Sequence, residues 1–377
     1  MSERTVGITG PNGFVAGHLA RRLTHQKGVQ VVACPREAFN SPDALAQFVD
    51  RCDTIVHLAA MNRGNDEDIH ATNTSLVARL ISAAQLCERK PHIVFSSSTQ
   101  RDLDNAYGRS KKQGEEQLLQ WASSGDDGAA TVLVIPNVYG PGCRPFYNSV
   151  VATFCHTLAL GEEPTLIQDD EVEFIWINDL VDVLCETIEN RPVMAQVRRV
   201  DGSALLNISE LLAKLCGFRE SHAEHDMVPD ISDPLDASLY ATYLSYVSLE
   251  EHCHRPEVHS DDRGQLFEII RMANGGQVFF STTKPGVIRG NHFHTRKIEW
   301  FCVLKGEAAI RLRRVDDASD ASVHEFRVSG DEPQFISIPV LHTHQIENVG
   351  EEELLTMFWC NEVFRAEDPD TYFEKVA

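Results

Sequence analysis

The sequence has few basic residues for its size. Lysine and arginine number 34 against 56 aspartates and glutamates, which gives a formal net charge of −22 at pH 7. Binding to the phosphates of nucleic acids requires clusters of basic side chains, so this deficit argues against a nucleic-acid partner. The acidic excess does not identify a substrate, because acidic surfaces are also a common means of keeping a protein soluble.

The sequence also lacks paired cysteines and long apolar runs. Its ten cysteines are scattered, and none forms a C-x-x-C pair, which predicts a reducing compartment without disulfides. No apolar run is long enough to cross a bilayer, and the first residues read as a buried strand and not as a signal peptide. We therefore expect a cytoplasmic protein with no membrane partner.

The length and composition predict more than one domain. A chain of 377 residues exceeds one ordinary core, and 42% apolar with 24% charged residues is typical of a globular protein. Around residues 226–251 prolines and aspartates interrupt the helical pattern, and short alternating strands follow. We place the boundary there and predict two domains, residues 1–245 and 246–377.

The N-terminal residues predict a dinucleotide-binding unit. A β-branched run at residues 5–9 leads into a glycine turn and then an amphipathic helix. In that setting Gly10 permits a tight turn, Gly13 lets the backbone approach a pyrophosphate, and Ala16 allows close packing of helix on strand. The second strand ends near Arg36, a residue type that accommodates the extra phosphate of NADP.

A second motif predicts proton transfer to a carbonyl. Tyr107 and Lys111 are four residues apart on a predicted helix and therefore share one face. A neighbouring ammonium is expected to lower the pKa of the tyrosine, which then passes a proton to a substrate oxygen while a nicotinamide supplies hydride. A serine hydroxyl at the end of the preceding strand would hold the carbonyl.

The C-terminal part carries a predicted metal site. His292, His294 and Glu299 form an H-x-H-x4-E pattern, and His344 follows some forty-five residues later. In a strand His292 and His294 point to the same face. Gly286 and Gly306 flank the pattern where tight turns between short strands are expected. Two imidazoles, a carboxylate and a distant third imidazole suit one divalent metal ion.

These motifs resemble two known families in tandem. The turn T-G-x-x-G-F, the strand at residues 53–60, the S-S-S strand end and Y-x3-K resemble extended short-chain dehydrogenases/reductases, an α/β Rossmann-type fold. The H-x-H-x4-E run resembles the first motif of cupins, all-β jelly-roll barrels. Pro339, His344 and Asn348 resemble the second motif, with Leu341 where glycine is usual.

The reductase resemblance implies roles for particular residues. Ser98 is the expected carbonyl-binding hydroxyl and Thr99 the next choice, beside Tyr107 and Lys111. The expected cofactor contacts are Gly10, Asn12, Gly13, Phe14, Val15, Arg36, Leu58, Ala59, Ala60, Asn62, Tyr107 and Lys111. The N-V-Y-G-P segment and the run that follows it imply substrate contacts from Asn137, Arg144 and Asn148, although Val134 replaces an arginine that is frequent in the family.

A reductase domain followed by a metal-binding cupin is typical of few protein families. It resembles the bifunctional enzymes of UDP-N-acetyl-L-fucosamine synthesis, the CapF type, over nearly the whole chain. That resemblance implies a cupin that epimerises a UDP-2-acetamido-2,6-dideoxy-4-hexulose at C3 and a reductase domain that then reduces C4 with NADPH. The implied product is UDP-2-acetamido-2,6-dideoxy-L-talose. It also implies a homodimer with zinc held by His292, His294, Glu299 and His344.

Several alternatives stay open on the sequence alone. The cupin could be a passive ligand-binding or dimerisation module beside a 4-ketosugar reductase, and the metal could serve only to brace the barrel. A non-enzymatic NADP(H) sensor is disfavoured by the intact Ser98, Tyr107 and Lys111, and an enzyme that recycles bound NAD is disfavoured by Arg36 and Gln100. The base at C3 is not identified; Lys297, His342 and Tyr372 are candidates. A D-x-R-G-like run at residues 261–268 also resembles 3,5-epimerases that generally work without metal.

Overall fold

A computed structural model describes residues 4–88, 90–124, 128–224, 227–254, 259–261, 264–266, 271–272, 277–317, 319, 322–362 and 366–377. It divides into two compact units, Met1–Tyr139 with Val172–Leu206, and Gly140–Glu171 with Asn207–Ala377. The domain boundary predicted at residue 245 stays a prediction. Half of the D-x-R-G-like run, Arg263 included, lies outside the described residues.

The helices vary in length from nine to twenty-one residues. In chain order they are α1 Phe14–Thr24, α2 Pro42–Asp50, α3 Asp66–Leu86, α4 Ala106–Ala122, α5 Val150–Ala159, α6 Ile177–Glu189, α7 Ile208–Arg219 and α8 Pro234–Leu244. Shorter helical turns occupy Arg36–Asn40, Thr99–Asp102, Glu220–Glu224 and Leu249–His252. Within the described ranges, none of the helices combines the length and hydropathy needed to cross a bilayer.

The strands are mostly short. In chain order they are β1 Arg4–Thr9, β2 Val29–Ala33, β3 Thr54–His57, β4 His92–Ser98, β5 Ala129–Ile135, β6 Asn137–Tyr139, β7 Glu171–Trp176, β8 Gln196–Arg199, β9 Ala204–Asn207, β10 Met227–Val228, β11 Cys253–His254, β12 His259–Asp261, β13 Gly264–Leu266, β14 Arg271–Met272, β15 Gln277–Thr283, β16 Ile288–Phe293, β17 Glu299–Lys305, β18 Glu307–Arg314, β19 His324–Ser329, β20 Phe335–Ile338, β21 His342–Asn348, β22 Leu354–Cys360 and β23 Tyr372–Phe373.

The first unit is built on a six-stranded parallel sheet of order β2-β1-β3-β4-β5-β8. Its central strands are apolar on both faces, as expected when helices cover both sides. Ile55 and Ile93 pack with α2, α3 and α4, whereas their neighbours Val56 and Val94 pack with α1 and α6. The strand order reverses between β1 and β3, and the carboxyl ends of the strands at such a point form the usual crevice for a ligand.

The second unit contains two five-stranded antiparallel sheets. Their orders are β11-β20-β17-β22-β15 and β19-β18-β21-β16-β23. Side chains from both sheets share one core, as Phe301 and Ile336 of one sheet pack with Ile310 and Ile346 of the other. Gly286 and Gly306, at the turns entering β16 and β18, have φ values of +73° and +85°. The predicted fold class, a Rossmann-type α/β domain followed by an all-β cupin, is confirmed.

Candidate active sites

Thr9, at the end of β1, is hydrogen-bonded to the residues at the end of β3 and just after it. The Thr9 hydroxyl accepts the amides of Leu58 and Ala59 at 3.1 Å each and lies 2.8 Å from His57 Nδ1. Gly10 follows with φ +64°, and a Cβ added there would lie 3.0 Å from Ala59 Cα. The glycine turn and the loop after β3, both predicted to contact a dinucleotide, are therefore adjacent.

The N-terminus of α1 suits a pyrophosphate. Its N-cap, Gly13, has extended backbone and no side chain that could bond the first amides of the helix. Those amides and the positive end of the helix dipole are therefore open to an anion. Asn12 is exposed beside the turn, while Phe14 and Val15 are half-buried at the start of the helix. This cradle fits a dinucleotide.

The remaining predicted cofactor residues lie near the same strand ends. Arg36 is exposed at the start of the helical turn after β2. Ala60 and Asn62 are half-buried in the loop after β3. The backbone of that loop is fixed by a residue that the sequence analysis missed: the Asn73 side chain bonds the amide and the carbonyl of Met61 at 2.6 and 2.8 Å. No sequence signal pointed to this role, because the burial of Asn73 inside α3 is visible only in the structure.

Tyr107 and Lys111 share one face of α4, as predicted from their spacing. The Asn105 side chain caps this helix by accepting the Gly108 amide at 2.7 Å. Lys111 Nζ lies 5.5 Å from the centroid of the Tyr107 ring. It donates a hydrogen bond of 2.7 Å to the Ser96 carbonyl of β4, which ties α4 to the carboxyl end of the sheet.

The predicted lowering of the tyrosine pKa is wrong for this structure. Burial raises the pKa of Tyr107 to about 12. The cause is the desolvation of the phenolate, and the ammonium of Lys111 is directed to the Ser96 carbonyl. Burial also lowers the pKa of Lys111 to about 8, with Glu115 acting in the opposite direction. Tyr107 is therefore a protonated hydroxyl at neutral pH, able to donate a proton.

Ser98 and Thr99 lie at the carboxyl end of β4. Ser98 ends the strand and its hydroxyl accepts the Gln100 amide at 3.2 Å, while Thr99 begins the helical turn that follows. Both side chains are half-buried. Their position at the strand end suits substrate contact, and the choice between them stays a prediction.

A buried carboxylate that the sequence analysis missed organises this strand end. Glu115 is 3% exposed, one helical turn after Lys111. It accepts hydrogen bonds from the Ser97 hydroxyl and, at 2.5 Å, from Arg101. Burial raises its pKa, although Ser97 and Arg101 act against this. The i, i+4 spacing from Lys111 was the only sequence signal for it.

The structure does not bring the three predicted substrate residues together within one unit. Asn137 belongs to the first unit, where its side chain reaches the Glu173 carbonyl at 3.4 Å. Arg144 and Asn148 belong to the second unit and are exposed. The Arg144 guanidinium lies 5.4 Å from the Tyr147 ring centroid. Their joint role stays a prediction.

In the second unit, the four predicted metal ligands converge. One donor atom from each of His292, His294, Glu299 and His344 lies within 4.8 Å of the others. Nε2 of His294 and Nε2 of His344 are each 3.2 Å from the same Glu299 oxygen. His292 is half-buried and the other three are buried. Residues separated by up to fifty-two positions thus form one cluster.

The backbone around the cluster is unusual at three positions. A bulge in β16 falls between Gly290 and His292, and Gly290 and Asn291 have φ values of +95° and +58°. Beyond it, His292 pairs directly with His344 of β21. Leu341, in the position where the cupin motif usually has glycine, also has a left-handed φ of +57°. The backbone at this position therefore adopts a conformation that glycine reaches without steric cost and leucine does not.

The electrostatics and the donor set fit a divalent cation. Burial alone would raise the pKa of Glu299, but His294 and His344 lower it far below its ordinary value. Burial opposes protonation of His294, yet Glu299 raises its pKa overall. Among the described residues, Glu299 lies 3.2 Å from the buried Nε2 atoms of His294 and His344, and neither atom has a hydrogen bond of normal geometry. Three imidazole nitrogens and an ionised carboxylate are ligands that zinc and similar metals accept.

The three candidate bases differ in position. The Lys297 ammonium is bound to the Pro369 carbonyl at 2.7 Å. The Tyr372 ring stacks on Phe293, which faces away from the histidines because strand side chains alternate. His342 lies two residues from His344 on β21 and therefore shares its face. Of these three residues, only His342 is directed to the side of the cluster.

Comparison with known proteins identifies the family. Residues 6–197 match the NAD dependent epimerase/dehydratase family, and residues 259–372 match the polysaccharide biosynthesis C-terminal domain. The chain is 34% identical to the UDP-2-acetamido-2,6-beta-L-arabino-hexul-4-ose reductase of Pseudomonas aeruginosa, covering 97% of each chain. The crystal structure of the capsular polysaccharide assembling protein CapF from Staphylococcus aureus shares 33% identity and a TM-score of 0.62, with 99% of this chain and 100% of that chain covered. The chain belongs to the CapF family.

A further relative matches a shorter part of the chain. Over 123 residues the chain is 28% identical to the probable low-salt glycan biosynthesis epimerase Agl13 of Haloferax volcanii, covering 30% of this chain and 79% of that protein. Membership of the CapF family makes the chain an epimerase or reductase that depends on a nicotinamide cofactor.

Proposed function

We propose that this protein is a bifunctional nucleotide-sugar enzyme. Its cupin part epimerises a UDP-2-acetamido-2,6-dideoxy-4-hexulose at C3. Its dinucleotide-binding part then reduces the C4 ketone with NADPH to UDP-2-acetamido-2,6-dideoxy-L-talose, a precursor of UDP-N-acetyl-L-fucosamine for surface polysaccharide. The observation that carries the proposal is that one chain holds both the Tyr107–Lys111 pair beside a dinucleotide cradle and a buried three-histidine, one-carboxylate cluster.

The relatives support the same two activities. The Pseudomonas aeruginosa relative is named as a reductase of a UDP-linked hexul-4-ose, and it matches 97% of this chain. The Haloferax volcanii relative, which matches 30% of this chain, is named as a probable glycan biosynthesis epimerase. Similarity to a reductase over nearly the whole chain and to an epimerase over part of it is what a two-step enzyme of this kind would have.

In the reduction, the chain's own residues supply the proton and the orientation. A bound nicotinamide would supply the hydride that the C4 carbon accepts. The Tyr107 hydroxyl, protonated at neutral pH because burial raises its pKa to about 12, would donate to the C4 oxygen. Lys111 fixes the helix to the Ser96 carbonyl and places its positive charge beside the tyrosine. Ser98, or Thr99, would hold the ketone oxygen.

In the epimerisation, one proton leaves C3 and one returns to its other face. A hydrogen beside the C4 ketone is acidic enough for a positioned base to remove, and no redox change is involved. A cation held by His292, His294, Glu299 and His344 would supply Lewis-acid polarisation of the ketone oxygen. The role of the protein is to keep Glu299 ionised and the three imidazoles directed to one point. We expect the metal to be zinc.

The partners follow from the same proposal. Arg36, exposed just after β2, favours NADPH over NADH because it can pair with the extra phosphate. Asn137, Arg144 and Asn148 would contact the UDP-sugar. We also propose a cytoplasmic homodimer.

The test is proton NMR in D2O with the intact protein and the UDP-4-keto sugar. Loss of the C3 proton signal before NADPH is added, followed by a new C4 proton afterwards, would establish both activities and their order. Consumption of NADPH without exchange at C3 would contradict the proposal and make the cupin a passive module beside a 4-ketosugar reductase.

Two variants separate the sites. Tyr107→Phe should abolish NADPH oxidation and leave C3 exchange intact, because it removes only the proton donor. His292→Ala should stop C3 exchange but spare reduction of a substrate already epimerised. Loss of both activities in either variant would contradict two separate sites, and unchanged exchange in the metal-stripped protein would reduce the metal to a structural role.

A further inference from the structure

A buried aspartate from the C-terminal segment lies beside His294 of the metal-ligand cluster. Asp370 is 2% exposed. Its carboxylate accepts the backbone amides of Thr295 at 3.2 Å and of Arg296 and Lys297 at 2.9 Å each, and the Thr295 hydroxyl at 2.6 Å. Three successive amides directed to one anion form a nest, and the Thr295 hydroxyl adds a fourth donor.

The two basic side chains nearby make their hydrogen bonds to other groups, although the positive charge of Arg296 also attracts Asp370. The Arg296 guanidinium bonds Glu362 at 3.0 Å and Asp368 at 2.6 Å. The Lys297 ammonium donates to the Pro369 carbonyl at 2.7 Å. The buried carboxylate of Asp370 is therefore bound chiefly by the chain that runs from His294 to Glu299, which is the connection between two of the metal ligands.

The same residue also contacts a ligand directly. The Asp370 carbonyl lies 2.5 Å from His294 Nδ1, across 76 positions of sequence. When Nδ1 carries the proton of that bond, Nε2 is the nitrogen left for a metal, and Nε2 is the atom that faces Glu299 at 3.2 Å. Asp370 adopts a φ of +39°, and this conformation is held by the contact of its carbonyl with His294 and by the hydrogen bonds to its carboxylate.

The rest of the C-terminal segment is bound to the same strands. The Glu374 amide donates to the Asn291 carbonyl of β16 at 2.9 Å. The Thr343 hydroxyl of β21 donates to the Glu374 carbonyl. Arg313 of β18 bonds the Val376 carbonyl at 2.9 Å. These contacts determine where Asp370 lies relative to the ligand strands.

We infer that Asp370 is a positioning residue for the metal site, through its carbonyl on His294 and its carboxylate on the loop between His294 and Glu299. This inference rests on the proposed function, since it concerns the same site. The residue orients one imidazole and sets the separation of two ligands, and the C-terminal segment is thereby part of the metal centre.

The test uses the full-length, metal-stripped protein and two metal ions alone, Zn²⁺ and Co²⁺. Zinc affinity is measured by competition with a chromophoric chelator, and the ligand field by the visible spectrum of the cobalt-saturated protein. Asp370→Asn places an amide NH2 against backbone donors and should weaken zinc binding about 10- to 100-fold. It should also shift the cobalt spectrum. Asp368→Asn is the matched control, because its exposed carboxylate bonds only the Arg296 side chain among these groups, and it should bind zinc within about twofold of the parent.

A milder variant guards against loss of folding. Thr295→Val removes the hydroxyl that donates to Asp370 but leaves all three amides, so it should fold and weaken zinc binding only a few-fold. A purely structural role would lower stability without moving the spectrum of the saturated protein, so an unchanged cobalt spectrum in Asp370→Asn would overturn the inference. Zinc affinity equal to the parent's would do the same and leave the proposed function intact. Failure of the parent protein to bind stoichiometric metal would overturn the inference and the metal-assisted epimerisation, whereas the two activities themselves are tested separately by the NMR experiment.

Discussion

Two glycines near the start of β16 allow the geometry of the metal site to be tested by one methyl group. Gly286 and Gly290 have positive φ values of +73° and +95°. A Cβ added at Gly286 would meet nothing within 4 Å, whereas one at Gly290 would lie 2.8 Å from the His344 carbonyl and 3.2 Å from Gln345 Cα. The two alanine variants therefore share a backbone cost and differ in a clash with a ligand strand.

The magnitudes follow from these two terms. A left-handed conformation costs an L-residue about 1–2 kcal/mol, which is the whole expected effect of Gly286→Ala on the free energy of unfolding. Gly290→Ala adds overpacking against backbone, which typically costs about 1–3 kcal/mol, so about 2–5 kcal/mol in total is expected. Relief of the clash must move β16 and β21 apart, and these strands carry His292 and His344. Zinc affinity should fall about 10- to 100-fold in Gly290→Ala, an effect comparable to loss of an outer-shell contact.

The assay is urea unfolding of the metal-stripped full-length protein, together with zinc titration against a chromophoric chelator. Gly286→Ala is the control and should keep zinc affinity within about threefold of the parent, since the site is not touched. Equal stability and equal zinc affinity in the two variants would refute the reasoning, because it would mean that the close approach of Gly290 to the His344 carbonyl does not hold the ligands.

Three further predictions follow from other residues. Burial lowers the pKa of His57 to about 3 and of His92 to about 4, so the folded protein binds fewer protons than the unfolded chain between pH 4 and 6.5. The contribution of these two residues to stability should therefore be full above pH 6.5 and fall as the pH drops, by up to about 2.7 kcal/mol per pH unit. A flat pH profile of urea midpoints would contradict this. Arg36→Ala should raise the KM for NADPH about 10- to 100-fold, as expected from the loss of one charge-assisted hydrogen bond, and leave the KM for NADH unchanged. Equal changes in KM for both cofactors would disprove the assigned contact. Leu341→Gly should be more stable than Leu341→Ala by about 1 kcal/mol in thermal and urea unfolding, because both lose the buried side chain but only glycine relieves the φ of +57°; the reverse order would show that strain at this position is negligible.

Much of the first site was predictable because its elements are local in sequence. A strand, a glycine turn and a helix follow one another within twenty-one residues, and the i, i+4 spacing of Tyr107 and Lys111 places them on one helix face without further information. The pKa of Tyr107 was predicted in the wrong direction because desolvation depends on packing. Glu115 and Asn73 were missed for the same reason, since a polar residue inside an amphipathic helix looks exposed until its neighbours are known.

The sequence by itself determined the fold class, the family and the four residues of the candidate metal site, because each depends on short motifs with strict spacing. The tertiary structure alone decided how these residues are held: the left-handed Leu341, the close approach of Gly290 to His344, and Asp370 bonded to His294 across 76 positions. The physical reason is that burial and long-range backbone pairing determine desolvation and hydrogen-bond partners. Burial and long-range pairing depend on residues far apart in the chain, so a local sequence pattern does not reveal them.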